Sequence, residues 1–172
     1  MRPELQAYLQ QKFPKLYTTT QDKNDSFSQW GFECGDGWFR LLLWLSRYLQ
    51  NYLDRQNKMA EKYPDNYPKI DQVRVEQVKE KFGTLRFYTQ GGNDRTQSVI
   101  SFAEYISGFC CEYTGKTEDV GYNKKGWIKT AHKSFGKKND FYYVDDEELR
   151  SLLKGQPTDV QLEFNFAENK KD

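Results

Sequence analysis

The chain has 172 residues, with 26 Lys and Arg against 25 Asp and Glu and one His, for a formal net charge of +1. That length suits a single domain over residues 1–172, large enough to bury a core without disulfides or metals as staples. A charge this close to zero excludes a global field drawing the protein to nucleic acid or membrane, and 16% aromatic residues exclude a disordered class.

Leu5, Tyr8, Leu9 and Phe13 recur at helical spacing, so the first dozen residues predict a short amphipathic helix ended by Pro14. Residues 15–36 are polar and rich in Thr, Ser and Asp, with Trp30 and Phe32 as anchors, and predict a long loop with one short strand. Asp36 is a candidate cap for the strongest helix, from about residue 37 to about residue 60. There Trp38, Leu41, Leu42, Leu45, Leu49, Tyr52, Leu53 and Met59 form the apolar stripe. The run Tyr63-Pro64-Asp65-Asn66-Tyr67-Pro68 breaks it.

Alternation through Val73 and Val75, and again through Leu85, Phe87 and Thr89, brackets Phe82-Gly83-Thr84 and predicts a β-hairpin over 73–89 with Gly at the turn. Gly91-Gly92-Asn93-Asp94 leads into a second helix, with Asn93 or Asp94 as cap and Val99, Ile100, Phe102, Ala103, Ile106, Phe109 and Cys110 as apolar face. Residues 112–139 show no periodicity. Beyond them Val144, Asp145, Glu148 and Leu149 read as a helix start, Gly155 and Pro157 as its stop, and Val160, Leu162, Phe164 and Phe166 as a half-buried strand. The fold class expected is α+β: two main helices packed on a small antiparallel sheet centred on the hairpin, plus a C-terminal helix and strand.

Four segments, Glu33–Phe39, Gln77–Tyr88, Phe102–Ser107 and Gly126–Thr130, resemble in order and spacing an uncharacterised family of small bacterial and bacteriophage proteins. The most specific is the hairpin motif Lys79-Glu80-Lys81-Phe82-Gly83-Thr84-Leu85-Arg86-Phe87-Tyr88. The likeness covers about residues 30–135, leaving 136–172 as an extension. In that family a Cys-Glu-x-Cys-Gly turn and a later Cys and His suggest a zinc ribbon. The corresponding segment here is Cys111-Glu112-Tyr113-Thr114-Gly115, with Thr114 at the second ligand position and His132 and Phe135 at the later pair. A structural zinc wants four N or S ligands, so the ribbon is degenerate and no metal or other cofactor is expected.

No catalytic constellation is visible, and an enzyme is not expected. One His with no Ser or Cys at interpretable spacing gives nucleophilic catalysis little support. Cys34 has no cationic neighbour to lower its pKa and reads as a small buried side chain. The candidate binding segment is 121–138, where Lys124, Lys125, Lys129, His132, Lys133, Lys137 and Lys138 are interleaved with Tyr122, Trp127 and Phe135, without one Asp or Glu. Basic charge with exposed rings suits single-stranded RNA or DNA, or an acidic protein groove with aromatic anchors; a solvated loop whose rings are core is the plain alternative.

The function expected is a non-enzymatic, phage-derived interaction protein that binds and modulates a macromolecular partner. Its concrete form is an anti-CRISPR-like inhibitor of a host defence nucleoprotein. An independent RNA- or DNA-binding module is the alternative, and an unassigned hydrolase or transferase the next. Three cysteines, the absence of an apolar leader pattern in Met1-Arg2-Pro3-Glu4-Leu5 and the absence of a long apolar run predict a cytoplasmic protein with no membrane partner.

Overall fold

The computed structural model describes residues 1–19, 25–123 and 126–135, and the backbone of 141–143. The chain is an α+β protein. Helix α1 (Pro3–Lys12) opens with Pro at a position where its missing N–H is no loss, and it buries Leu9. Helix α2 (Ser26–Trp30) starts on Asp25, whose carboxylate accepts from the backbone N–H groups of Phe27 and Ser28. The two-residue strand β1 (Phe32–Glu33) leads through a 3-10 turn (Asp36–Trp38) into the long helix α3 (Phe39–Lys62). Strands β2 (Arg74–Lys81) and β3 (Thr84–Gln90) form the hairpin, and α4 (Asp94–Ser107) follows.

These elements build a three-stranded sheet of order β1-β2-β3. It is mixed rather than antiparallel as expected, because β1 pairs with β2 in parallel, Phe32 beside Val78 and Glu33 beside Lys79. A bulge between Val75 and Gln77 lets Val75 and Val78, three residues apart, both reach the core. The core joins Leu9, Phe27, Phe32, Trp38, Leu42, Leu49, Leu53, Val75, Val78, Leu85, Phe87 and Ile100.

Both sheet edges are covered from the side, so neither offers an open row of backbone groups. The Gln6 side chain accepts from the Phe32 N–H at 3.1 Å on the β1 edge. On the β3 edge Ser107 Oγ accepts from the Leu85 N–H and Glu104 Oε1 from the Phe87 N–H, each at 2.8 Å. Helix α4 is itself started by Asn93 and Thr96 in a reciprocal capping box, so that of the two expected caps Asn93 serves and Asp94 is the first helical residue. Asp36 does not cap α3: it is the first residue of the 3-10 turn, and its carboxylate accepts from the Arg2 backbone N–H and pairs with the Arg2 guanidinium. That contact holds its carboxyl below the usual carboxylate range.

The aperiodic region supplies two strands, β4 (Val120–Asn123) and β5 (Thr130–His132), which with β6 (Phe141–Tyr143) form a second sheet of order β5-β4-β6, all antiparallel. The expected C-terminal helix and strand lie outside the described residues. Among those described, no helix is long and apolar enough to cross a membrane.

The two sheets are stitched through the turn that follows α4. Gly35 donates its N–H to Glu112 Oε1 at 2.9 Å, and Gly37 to the Glu112 carbonyl at 2.7 Å. The Trp38 indole donates to the Cys110 carbonyl at 2.9 Å. A Cβ on Gly37 would collide with the Cys111 carbonyl oxygen, so this close approach requires glycine.

Candidate functional site

Two residues connect β2 to β3, and both have positive φ, Phe82 at 54° and Gly83 at 78°. That is what a type I′ hairpin turn demands, and at Phe82 the left-handed backbone costs about 1 kcal/mol. The surroundings hold it there. Glu80 Oε1 accepts from the Gly83 N–H at 2.7 Å, and Thr130 Oγ1 donates to the Gly83 carbonyl at 2.6 Å. A Cβ on Gly83 would lie 3.0 Å from Thr130 Oγ1 and 3.1 Å from Ile128 Cγ2, so the tip rests directly on the segment before β5. The strained turn presents the Phe82 ring to solvent, 61% exposed, with the Lys81 ammonium 5.4 Å from its centroid.

The other carboxylate oxygen of Glu80 accepts from the Trp127 indole N–H at 2.6 Å. Trp127 is therefore not core but a surface ring, 64% exposed and held at one edge by the hairpin. Asn123 closes the loop that carries it, donating to the Trp127 carbonyl at 2.7 Å and accepting from the Lys129 N–H at 2.5 Å. Lys129 Nζ donates to the Tyr113 hydroxyl at 2.9 Å, and that bond raises its pKa above the ordinary lysine value. On Tyr113 stacks Phe135, centroids 4.8 Å apart and 52% exposed. Trp127, Lys129, Tyr113 and Phe135 are thus held at the joint of the two sheets by these contacts, and Lys81 and Phe82 are exposed at the hairpin tip, which Ile128 abuts.

The expected binding residues divide accordingly. Trp127, Lys129 and Phe135 are held at this joint, and Tyr122 is half-buried on β4, paired with Thr130. Lys133 is exposed but ion-paired with Asp119. His132 is 8% exposed and turned inward, its Nδ1 accepting from the Ser134 N–H at 3.2 Å and lying 2.7 Å from Ser134 Oγ. It is a local turn contact rather than part of the exposed surface. Lys124, Lys125, Lys137 and Lys138 lie outside the described residues. Glu80, Phe82 and Tyr113 were not foreseen; the Lys-Glu-Lys-Phe-Gly run marked the turn, but nothing local marks a carboxylate reaching another sheet.

The donors that a zinc ribbon would need do not fit. Thr114 accepts weakly from the Lys116 N–H at 3.3 Å, Phe135 is stacked on Tyr113, and Cys111 is fully buried. Among the described residues no three of His, Cys, Asp and Glu form a group that could hold a metal ion. Backbone bonds tie the turn instead: Gly115 N–H to the Cys111 carbonyl and Cys111 N–H to the Lys116 carbonyl, both 2.8 Å, and Glu112 N–H to the Thr130 carbonyl at 3.1 Å.

Burial pushes the Cys34 thiol up to about 12 and the Cys110 thiol up to about 11, which disfavours a nucleophilic thiolate at either. Glu112 is buried against the joint with Oε2 unbonded, and desolvation raises its pKa, opposed by the Gly35 hydrogen bond. The chain matches no protein-family model, no curated protein and no solved structure.

Proposed function

We propose that this chain is a non-enzymatic interaction protein that docks on a macromolecular partner through the surface built at the joint of its two sheets. The observation that carries the reading is the exposed Trp127 fixed to Glu80 beside the strained Phe82 tip, with Lys81 and Lys129 flanking the rings. Aromatic anchors held in place by bonds behind them lose little entropy on binding, and Trp and Tyr dominate the energetics of protein interfaces. Flanking lysines add steering toward an anionic partner surface.

A protein or ribonucleoprotein partner is favoured over naked single-stranded RNA or DNA. Among the described residues the Glu80 carboxylate holds Trp127 and Lys133 is paired with Asp119, so few of the described cations are left to meet a phosphate backbone. In its concrete form the partner is a host defence nucleoprotein and the protein a phage-derived inhibitor resembling an anti-CRISPR. That form draws on the phage association of the family it resembles.

The test uses cells defended by a guide-RNA nuclease. Expression of the full chain should restore phage plaquing, and the purified protein should co-elute with the nuclease complex. Trp127→Ala and Lys129→Glu should remove both effects while leaving the melting temperature nearly unchanged, because neither side chain contributes to the core. Tight binding to generic single strands that weakens steeply with salt would instead establish direct nucleic-acid binding. Undiminished activity of both variants would exclude this surface.

A further inference from the structure

Away from the sheet joint, helices α3 and α4 leave between them an open groove of about 720 Å³. Its floor and walls are apolar, with Leu41, Tyr48 and Tyr52 from α3 and Val99, Phe102 and Ile106 from α4. Phe102 is 63% exposed at its edge. Among the described residues the charged ones that line it are all arginines, Arg47, Arg55 and Arg95, with no carboxylate. In a chain with nearly equal numbers of acids and bases that is a marked local segregation.

Two of the guanidiniums are set in place by the rings. Arg95 Nε donates to the Tyr48 hydroxyl at 2.9 Å, and its guanidinium carbon lies 4.9 Å from the Tyr52 centroid. Arg47 lies 4.7 Å from the Trp44 centroid. Among the described residues none of the three arginines is in an ion pair. Arginine forks held on aromatic faces suit bidentate contact with carboxylates.

We propose that this groove is a second docking site and that its occupant is an acidic amphipathic helix of a partner protein. The apolar side chains of that helix enter between α3 and α4, and its carboxylates meet Arg47, Arg55 and Arg95. Charge complementarity selects an acidic occupant, and the shape selects a helix. On α3 the lining runs from residue 41 to residue 55, about 21 Å at the rise of an α-helix, which matches a partner segment of about four turns. The site shares no residue with the sheet-joint surface, so either can fail without the other.

The probes are two synthetic helical peptides of about 15 residues with the same Leu and Phe spacing, one with Glu and one with Lys at the flanking positions. Both are titrated against the full-length protein carrying a photo-crosslinkable benzoylphenylalanine at position 102. The Glu peptide should bind at least about tenfold more tightly than the Lys peptide and crosslink from position 102. Reversing Arg47, Arg55 and Arg95 to Glu should invert that preference while the circular dichroism spectrum is retained. Phe102→Ala, which touches neither charge nor core, should weaken both peptides alike. Equal binding of the two peptides, or none, overturns the proposal. So does a crosslink from position 102 to the chain itself or to a second copy that excess Glu peptide fails to displace.

Discussion

The two sheets are stabilised by different means. Around β1-β2-β3 the core is a continuous cluster of buried side chains running from Leu9 to Cys110. Around β4-β5 the described hydrophobic residues that are buried are Ala131 and, in the adjoining turn, Cys111, and the buried polar residues Glu112, Thr130 and His132 stand out beside them. The first sheet rests on apolar area removed from water, which is non-directional and forgiving of shape. The second is positioned by individual hydrogen bonds to the hairpin tip and to the turn at 110–116, which are directional and lost one at a time. Among the described residues, an apolar half thus carries a more polar half from which Trp127 and Phe135 remain exposed, an arrangement that suits binding loops on a scaffold.

The strongest way to test that contrast is Trp38→Ala. Trp38 is fully buried, and its indole also supplies the bond to the Cys110 carbonyl that connects the halves. Removing a buried Trp side chain should cost about 3–5 kcal/mol. Denaturant unfolding should show a single, strongly shifted transition; a shift below about 1 kcal/mol would mean that the core does not depend on this anchor.

A smaller and pH-dependent effect is expected at Glu112. Its folded-state pKa is raised by burial, so the folded protein holds this proton more tightly than the unfolded chain. The stability it contributes is therefore full below the ordinary glutamate value of about 4.3 and is lost as pH rises through the raised folded value. Glu112→Gln keeps an oxygen to accept from Gly35 and has no charge to bury. Its melting temperature relative to wild type should rise from acid to neutral pH and then level off. A difference that does not change with pH, or that falls, would show that the carboxylate is satisfied in the fold.

The smallest expected effect is none. If backbone bonds and the Tyr113–Phe135 stack replace a metal clip, a chelator should leave the melting temperature unchanged and elemental analysis should find no stoichiometric zinc. One zinc per chain, removed with loss of the second sheet, would reverse the comparison.

The groove and the core together show how far periodicity reaches. Leu42, Leu45, Leu49 and Leu53 were read as one stripe with Leu41 and Tyr52, and the first four are core. Leu41 and Tyr52 are only partly buried against that core and also border the groove, together with Trp44 and Tyr48, which no apolar repeat had included. A helix signals that a face is apolar, not how much of it another element will cover. The second sheet escaped for another reason. The strand β5 is three residues long and buried at all three, so it has no alternation to detect. The parallel strand β1, at two residues, is shorter still.

The sequence by itself determined the α+β class, the long helix to within two residues at each end, the hairpin with Gly83 in its turn and a cap for α4 at Asn93 or Asp94. All are local codes, in which the deciding residues lie within one turn of helix or one two-residue loop of each other. Tertiary structure alone decided that Trp127 faces solvent while His132 does not, that Glu80 reaches across to hold Trp127, and that Lys133 is spent on Asp119. Each of these depends on a neighbour at least 14 residues away in the chain, or on which segments cover a face. Burial and pairing are properties of the assembled surface, so the residue types named the chemistry available, and packing chose which of them could use it.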